Sequence, residues 1–294
     1  MSGFENWDEI RTAYHVARLG TVLGAAEALG VHHATVIRHI DALEGRLGVK
    51  LFQRHARGYT PTEAGRELFQ VANVTAEQFE HLAGRLRGRG AAVSGELVVT
   101  TVESLAPLLL PALTRFREDN PEILLRLISD ARLFRLEYGE AHVAVRAGAR
   151  PEDPDNVVQA LARAQVGLYA HESYVARHGR FARVAEAGSH VFVGPSDRNH
   201  RAPFYAWMRD HVPEDRVRVR AGDLRDAHEA VRAGAGIGFM PLWMVRRCEG
   251  LVEVMPPREE WEVPIWLVTH VDLHRTPKVR AVTAALKDAA AEWP

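Results

Sequence analysis

The stretch GVHHATVIRHIDALEGRLGVKLFQR, residues 30–54, has the spacing of an amphipathic helix that follows a glycine. Its apolar positions lie four, three and four residues apart, which defines one stripe of a helix: Val36, Ile40, Leu43 and Leu47. At about 100° per residue, Ala34 and Arg38 lie almost opposite that stripe, and Thr35 lies on its flank with Ile37. Small residues around one long cation suit close approach to a groove of DNA, where arginine can donate two hydrogen bonds to guanine. A solvated arginine on an ordinary surface helix is the alternative.

Two shorter apolar stripes precede this helix. The first contains Trp7, Ile10, Tyr14 and Ala17, and the second contains Val22, Ala25, Ala26 and Leu29. Gly30 then breaks the chain between the second stripe and the histidines. Three helices with a tight glycine turn before the last one predict a helix-turn-helix motif, whose final helix enters the major groove.

A basic loop follows the third helix. The segment LFQRHARGYTPTEAG, residues 51–65, places Arg54, His55 and Arg57 around a glycine. A basic loop beside a recognition helix is typical of a wing, which contacts phosphates and sets register without reading sequence. A solvated loop is the alternative. The next residues, 60–63, predict a capping box with proline at the first helical position, so a long helix should begin there.

Apolar and small residues recur along this long helix through to about residue 86, at Ala64, Leu68, Ala72, Thr75, Phe79 and Leu82. Such a stripe on a helix that joins two domains must be buried against another surface. That surface belongs either to a second copy of the chain or to this chain itself. The glycine-rich, basic segment at 84–97 then predicts a flexible boundary between domains.

Residues 19–65, LGTVLGAAEALGVHHATVIRHIDALEGRLGVKLFQRHARGYTPTEAG, closely resemble the N-terminal signature of LysR-type transcriptional regulators. The matching positions are Ala25-Ala26, Leu29-Gly30-Val31, Val36, Arg38, Ile40, Leu43-Glu44, Leu47-Gly48, Leu51-Phe52, Arg54 and Thr62-Glu63-Ala64-Gly65. The resemblance implies a winged helix-turn-helix that binds double-stranded DNA, followed by a linker helix that forms a homodimer with its counterpart. It also implies a homotetramer made of two dimers, with RNA polymerase as a further partner.

Two-fold pairing would place two recognition helices on half-sites about one DNA turn apart or a multiple of it, so an imperfect palindrome is expected as the target. The sequence departs from the commonest family pattern where many members have Ser-Gln and this chain has His32-His33. It departs again at Ile37, where a serine often precedes the arginine. The predicted DNA-binding residues are His32, His33, Ala34, Thr35, Arg38, Arg54 and Arg57.

A shared metal ion is not expected at the two histidines. Adjacent residues on a helix diverge by about 100°, whereas metal ligands must converge on one point. His39 lies nearer the core side of the helix than the face that reads DNA. Contacts from His32 and His33 to bases or phosphates are therefore the prediction.

The remainder of the chain alternates between strand and helix patterns. Short apolar segments occur at 97–101, 123–128, 143–146, 191–194, 217–221 and 264–270, with helical segments at 105–117, 223–233 and 278–292. This alternation predicts an α/β fold with a largely parallel sheet. Crossovers near 164–168 and 263–266 divide it into two lobes. The pattern is similar to the effector-binding domain of the LysR family, which shares its architecture with periplasmic solute-binding proteins.

The expected domains are a winged helix-turn-helix at 1–61, a linker helix at 62–87 and an effector-binding domain at 88–294. Within the last, lobe 1 should comprise 95–164 and 266–294, and lobe 2 should comprise 165–265. Ligands of open α/β sheets bind beyond the carboxyl ends of the strands. The cleft between the lobes is therefore the expected effector site.

For the effector, the family resemblance implies contacts from the loop after the first strand, where Thr100, Thr101 and Ser104 would offer hydroxyls at a helix N-terminus that favours an anion. A plain helix cap is the alternative for Ser104. Arg146 could pair with a ligand carboxylate or form a structural ion pair, and nearby acidic residues permit a ligand with an amine as well. The candidate effector set is Thr100, Thr101, Ser104, Asp130, Arg146, Ser196, Asp223 and Phe239.

Other classes of protein receive little support from the sequence. The turn GAGIGFMP, 234–241, runs from helix to strand, the reverse of a dinucleotide fingerprint, and no nucleophile elbow or metalloprotease motif occurs. A single cysteine, Cys248, permits no internal disulfide. We expect no catalysis, no cofactor or metal besides a small-molecule effector, no membrane association and a cytoplasmic location. A cytosolic solute-binding or enzymatic α/β protein, with N-terminal helices for association only, is the alternative.

Overall fold

The N-terminal part of the chain forms a three-helix unit with a two-stranded hairpin. The computed structural model describes residues 6–55, 58–86, 93–130, 132, 134–181 and 183–293. The three helices are α1 (Trp7–Leu19), α2 (Val22–Leu29) and α3 (His33–Leu47), and the hairpin strands are β1 (Phe52–His55) and β2 (Gly58–Pro61). Gly30 ends α2 with φ of 66°, a left-handed conformation that glycine adopts without strain. This arrangement confirms the predicted helix-turn-helix.

The three helices pack around one small core. Its members come from all three helices, from the start of the hairpin and from the next helix: Ala13, Val16, Ala25, Ala26, Val36, Ile40, Leu43, Leu51, Phe52 and Leu68. The members from α2 and α3 belong to the predicted stripes, but those from α1 are Ala13 and Val16, which lie beside the predicted stripe and not in it. The spacing of apolar residues in α3 therefore fixes which face is buried and which face is turned to solvent.

A buried carboxylate joins the hairpin to α3. Glu44 is 3% exposed and accepts hydrogen bonds from the backbone N–H groups of Leu51 (2.9 Å) and Phe52 (3.2 Å). The Lys50 ammonium donates to the same carboxylate at 2.6 Å. Burial opposes ionisation of Glu44, but these hydrogen bonds outweigh it and hold the pKa of the carboxyl below its ordinary value. The start of the hairpin is thus held by α3 itself.

The long helix α4 (Glu63–Leu86) begins after Thr62, whose Oγ1 accepts a hydrogen bond from the Gly65 N–H at 3.1 Å. Pro61 is the last residue of the hairpin and pairs with Phe52, so the predicted capping box at residues 60–63 was wrong by two residues. Pro61 pairs with Phe52 in the hairpin, so the helix begins only after Thr62.

Lobe 1 is a five-stranded sheet in the order β4-β3-β5-β12-β6. Its strands are β3 (Gly95–Thr101), β4 (Ile123–Ser129), β5 (Val143–Ala147), β6 (Asn156–Ala164) and β12 (Val263–His270). Strand β3 is parallel to β4 and β5, but β12 is antiparallel to both β5 and β6. The sheet is therefore mixed, where a largely parallel one was predicted. One face packs on α5 (Ala106–Asp119) and α10 (Pro277–Ala290).

Lobe 2 contains two smaller sheets. Strands β7 (Val166–His171), β10 (Gly238–Pro241) and β11 (Leu251–Met255) are antiparallel, whereas β8 (Phe192–Pro195) and β9 (Val217–Ala221) are parallel. The helices of this lobe are α6 (Glu172–His178), α7 (Pro203–His211), α8 (Leu224–Arg232) and α9 (Leu242–Val245). The chain leaves lobe 1 at the end of β6 and returns at the start of β12, so residues 263–265 belong to the lobe 1 sheet.

Within the described part of the chain, no helix is both long and apolar enough to cross a lipid bilayer. The same residues include no group of three or more histidine, cysteine, aspartate or glutamate side chains arranged to hold a metal ion.

Candidate nucleic-acid interface and interlobe cleft

The outward face of α3 presents an unpaired cation. Arg38 is exposed and lies opposite the buried Val36 and Ile40 stripe. No described residue forms a hydrogen bond or an ion pair with its guanidinium. Ala34 is exposed one turn earlier and Thr35 is half-buried, so the surface around Arg38 is small and open. This is the geometry that an arginine needs to reach a base edge in the major groove.

The two histidines lie at the start of α3. His32 is the N-cap, and its Nδ1 accepts a hydrogen bond from the Ala34 N–H at 3.4 Å. His33 is the first helical residue, and the two exposed rings lie 4.3 Å apart. Because Nδ1 of His32 accepts, its neutral ring carries the proton on Nε2, which can donate to a phosphate or a base. His39 instead lies 2.9 Å from Oγ1 of Thr12 and ties α3 to α1.

Arg54 does not extend freely from the hairpin. Its guanidinium donates to Asp41 and lies 3.3 Å from the buried Glu44 carboxylate, both on α3. It also lies over the Tyr59 ring, 5.4 Å from the centroid. The hydrogen bond to Asp41 raises the pKa of Arg54 despite burial. Arg54 thus links the hairpin to α3, and its role as a phosphate contact stays a prediction. Arg57 lies outside the described residues.

The apolar stripe of α4 is divided between two environments. Leu68 and Ala72 are buried, and Tyr14 of α1 stacks on Phe69 with ring centroids 5.4 Å apart. Farther along, Phe79 meets Trp7 edge-on at 5.5 Å, yet Phe79 remains 53% exposed and Trp7 45% exposed. The first half of α4 is therefore part of the N-terminal core, and Phe79 forms a half-exposed aromatic pair with Trp7 of α1. The side chain of Leu82, also in the predicted stripe, lies outside the described part of the chain.

The lobe 1 side of the cleft contains buried hydroxyls without partners. Thr100 and Thr101 end β3 and are both 0% exposed, and within the described chain neither Oγ1 atom has a hydrogen-bond partner. Ser104 lies half-buried in a single 3₁₀ turn, Glu103–Leu105, that leads into α5. No side chain caps that turn or α5. Ser104 is therefore not the plain helix cap that the sequence also allowed.

Arg146 lies at the same edge of the lobe 1 sheet. Thr100 pairs with Ala144 in the parallel register, so Arg146, two residues on, faces the same side just beyond the end of β3. Its side chain is half-buried, and this burial lowers the pKa of the guanidinium. Among the described residues, none forms an ion pair with it. The structural ion pair considered from the sequence is thus not seen.

The remaining polar candidates lie on the loops that follow the strands. The N–H of Asp130 donates to the carbonyl of Thr101 at 3.0 Å, which places Asp130 beside the end of β3. In lobe 2, the N–H of Ser196 donates to the carbonyl of Ala221 at 2.7 Å, and Asp223 caps α8 two residues later. Ser196 and Asp223 therefore share one edge of the β8–β9 pair.

One predicted cleft residue lies elsewhere. Phe239 is 3% exposed and packs in the lobe 2 core against the rings of Phe204 and Trp261, each 5.0 Å away. Both faces of β10 are buried, so an apolar side chain on this strand reaches the core and not the cleft. Phe239 is removed from the effector set.

Two profiles of known protein families match the chain. Residues 90–291 match the LysR substrate binding domain, and residues 7–66 match the bacterial regulatory helix-turn-helix protein of the lysR family. The chain belongs to the LysR family. It is a transcriptional regulator with a helix-turn-helix domain and an effector-binding domain, and members of this family are regulators, not enzymes. The alternative of a solute-binding or enzymatic protein is thereby set aside.

Relatives and solved structures cover the LysR-family chain from end to end. An HTH-type transcriptional repressor of Pseudomonas aeruginosa is 29% identical, over 96% of this chain and 92% of the relative. The Mau operon transcriptional activator of Paracoccus denitrificans is 25% identical over 98% and 97%. A crystal structure of ArgP from Mycobacterium tuberculosis and a full-length structure of LysG from Corynebacterium glutamicum with bound effector Arg have TM-scores of 0.71 and 0.70. Their identities are 22% and 20%, over 98% of this chain in each case and over 98% and 99% of their own lengths.

One contact at the cleft of this LysR-family protein was not predicted from its sequence. The Arg225 guanidinium in lobe 2 donates to Glu103 in lobe 1 at 3.0 Å and so joins the lobes at one end of the cleft. The two residues are 122 positions apart, and both are exposed charged residues of ordinary appearance. No local pattern identifies such a pair.

Proposed function

We propose that this LysR-family regulator binds its operator through the outward face of α3 and is controlled by a small anionic effector in the interlobe cleft. The observation that carries the effector half is the pair of fully buried, partnerless hydroxyls at Thr100 and Thr101. Buried polar groups are almost always hydrogen-bonded, and each one left without a partner costs about 1–3 kcal/mol. Adjacent residues of a strand face opposite sides of the sheet, so a ligand that satisfies one of these hydroxyls recovers part of that cost.

The charge of the proposed ligand follows from Arg146. A half-buried guanidinium without a carboxylate partner favours an incoming anion, and arginine can bind a carboxylate through two parallel hydrogen bonds. Asp130 and Asp223 stand on the two sides of the cleft, so a ligand that also carries an amine is compatible with it. A small carboxylate, with or without an amine, is the effector class that we propose.

On the DNA side, we propose that Arg38, Ala34 and Thr35 face the bases while His32 and His33 contact bases or phosphates at the start of α3. The support is the exposure of this face and the absence of a partner for Arg38 in the described chain. Arg54 contributes by holding the hairpin in place. Arg57 remains a proposed phosphate contact from the sequence alone.

For the assembly, we propose that the second half of α4 pairs with the same helix of a second copy and that two such dimers form a tetramer. The exposed Phe79 and Trp7 supply the apolar surface. Two-fold symmetry then implies an imperfect palindrome as operator. Contact of the bound oligomer with RNA polymerase is part of the same proposal.

Coupling between the sites requires that the effector favour one arrangement of the lobes. Two lobes joined by two crossovers can rotate about them, and a ligand shifts that equilibrium only as far as it binds one arrangement better. The Glu103–Arg225 pair joins the lobes at one end of the cleft, so opening of the cleft must separate it. Both side chains of this pair are exposed, so solvent screens it and a ligand can outweigh it.

The test combines one ligand screen with one variant. Thermal-shift screening of the purified protein against small carboxylates and amino acids identifies a stabilising compound, because a ligand of the folded state raises stability by mass action. Titration of this compound into wild type and Ser104→Trp should show binding to the wild type alone. Both proteins should shift DNA from the region upstream of the gene with equal affinity and equal salt dependence. Equal ligand affinities would place the effector outside this cleft, and no salt-dependent shift would contradict the DNA half.

A further inference from the structure

Lobe 2 contains a cavity of about 210 Å³ that is separate from the interlobe cleft. It lies between α7, β9 and the loop that follows β8. None of the proposed effector contacts, in either lobe, lines it. The cavity is therefore a second candidate site, independent of the effector proposal above.

The floor of the cavity is apolar. Met208 of α7, Val212 just after that helix and Val217 of β9 line it together with the ring of Tyr205. Gly194 of β8 permits this packing, because a Cβ at that position would lie 2.8 Å from Val217 Cγ1 and 3.0 Å from Met208 Sδ. A ligand that enters the cavity must bring an apolar body.

The rim of the cavity carries three guanidinium groups and one carboxylate. Glu214 pairs with Arg198, and Nη2 of Arg220 lies 3.5 Å from Oε1 of Glu214. Arg209 also lines the cavity and has no carboxylate partner among the described residues. The rim therefore keeps a net positive charge, which favours an anion.

The wall of the cavity is held in place before any ligand binds. Nη1 of Arg209 donates to the carbonyls of Arg198 at 3.2 Å and His200 at 3.1 Å, which ties the loop to α7. Nη1 of Arg220 donates to the carbonyl of Pro195 at 3.4 Å, which ties the end of β8, where the loop begins, to β9. A preformed site loses less conformational entropy on binding.

A buried donor completes the site. Tyr205 is 3% exposed and lines the cavity, and within the described chain its hydroxyl has no hydrogen-bond partner. Burial raises the pKa of this phenol, so the hydroxyl stays protonated and able to donate at neutral pH. A carboxylate oxygen is a strong acceptor for such a donor.

We propose that this cavity binds a small monocarboxylate with a compact apolar body, and that it is a ligand site distinct from the interlobe cleft. The carboxylate meets the Arg220 guanidinium and the Tyr205 hydroxyl, while the apolar body lies on Met208 and Val212. The cavity volume of about 210 Å³ equals the liquid volume of roughly seven waters at about 30 Å³ each. An acid with a single small ring or a short branched chain is of this size. A free phosphate satisfies the rim but leaves the floor without a contact.

The test titrates the full-length protein with cyclohexanecarboxylate by isothermal titration calorimetry. The neutral isostere cyclohexanecarboxamide and inorganic phosphate should each bind at least tenfold more weakly than the acid. Equal affinity of the amide would contradict the role of the charged rim. Phosphate binding that matches the acid would contradict the role of the apolar floor, and no binding of the acid would overturn the proposal.

Four variants locate the binding. Arg220→Gln and Tyr205→Phe should each weaken the acid at least tenfold. Arg218→Gln removes a charge from the same strand outside the cavity and should change affinity less than twofold, as should Ser104→Trp in the cleft. A melting temperature within a few degrees of wild type shows that each variant is folded. If neither cavity variant weakens binding, or if Ser104→Trp abolishes it, the acid does not occupy this cavity.

Discussion

The polar groups on the surface of α3 are exposed to solvent, whereas those at the interlobe cleft are buried. On α3, Arg38 and His33 are exposed and open to solvent. At the cleft, the hydroxyls of Thr100 and Thr101 are fully buried and without partners in the described chain. DNA binding draws its free energy largely from cations that replace counterions at the phosphates, and exposed side chains can do this without rearrangement. A small ligand gains most from groups that are already out of water.

The difference has a consequence for substitutions. An exposed side chain of α3 can be removed at little cost to folding, so its loss should affect DNA binding alone. A buried polar group contributes to stability as well as to any ligand contact, so its loss should affect both. Glu44 combines both cases, because it is buried and also belongs to the DNA-binding unit.

Glu44 is a buried carboxylate of the DNA-binding unit that accepts two backbone hydrogen bonds, so its removal should have the largest effect. Glu44→Ala leaves the amides of Leu51 and Phe52 buried without an acceptor and removes a carboxylate partner of Arg54. Loss of one member of a buried charged network costs about 3–5 kcal/mol. Urea unfolding should show this loss, together with weaker binding to all DNA because the hairpin is released.

Asp41→Ala is the matched control for Glu44, since Asp41 also pairs with Arg54 but is exposed on the same helix. An exposed ion pair contributes at most about 1 kcal/mol, so Asp41→Ala should change stability little. Equal effects of the two variants would show that burial of Glu44 carries no special weight.

His228 makes the stability of lobe 2 depend on pH. Burial lowers the pKa of His228 to about 4, against an ordinary value of 6.5, although Asp223 opposes the shift. A depressed histidine pKa means that the unfolded chain binds the proton more tightly. The free energy of unfolding of lobe 2 is therefore highest above pH 6.5, where His228 is neutral in both states. It decreases as the pH falls towards 4, by about 3 kcal/mol in total.

Tryptophan fluorescence during urea unfolding should report this loss, because Trp207 and Trp261 lie in the lobe 2 core. The His228→Leu variant should lose less stability between pH 7 and pH 4.5 than the wild type. Glu9 and Glu44 also have lowered pKa values, so the stability they support is lost only below about pH 4.5. If the urea midpoint of the wild-type protein did not change between pH 7 and pH 4.5, the lowered pKa of His228 would be contradicted.

Phe79 tests the assembly. Phe79→Glu places a charge on the exposed aromatic pair and should weaken the dimer by about 2–4 kcal/mol, the range of an interface hot spot. Analytical ultracentrifugation should show monomer, and operator affinity should fall with it. Glu67→Gln, an exposed change on the same helix, should leave the dimer intact. A Phe79→Glu protein that remains dimeric would exclude this part of α4 from the interface.

Arg38 tests the exposed surface alone. Arg38→Ala should leave the unfolding curve unchanged and cost about 1–3 kcal/mol of binding to the operator, with little loss on random DNA. Competition binding at one salt concentration separates the two. An equal loss on both would mean that Arg38 touches phosphate and does not read a base.

The parts of this molecule that sequence predicts well are those fixed by local spacing. The α3 stripe and Gly30 lie within a few turns of one another, so the buried face and the outward Arg38 follow from periodicity alone. The pairing of Arg54 with Asp41 could not be predicted, because the two meet only once the hairpin folds back on α3. Phe239 was misjudged because a strand buried on both faces has the same composition as a cleft wall. The antiparallel β12 could not be foreseen, since its neighbours in the sheet are more than 90 residues away in sequence.

The smallest expected effect concerns the cap of α3. Nδ1 of His32 caps the helix by accepting a hydrogen bond from the Ala34 N–H at 3.4 Å. Serine is among the residues preferred at this position, and histidine is not. His32→Ser should therefore raise the melting temperature slightly, by the equivalent of less than about 1 kcal/mol. The same change removes an Nε2 donor from the DNA-reading surface, so the preferred operator sequence should shift while general affinity is kept. Selection of bound sites from a random DNA pool measures that shift. If wild type and His32→Ser select the same sites, His32 serves only as a cap, and the specificity of this surface rests on His33 and Arg38.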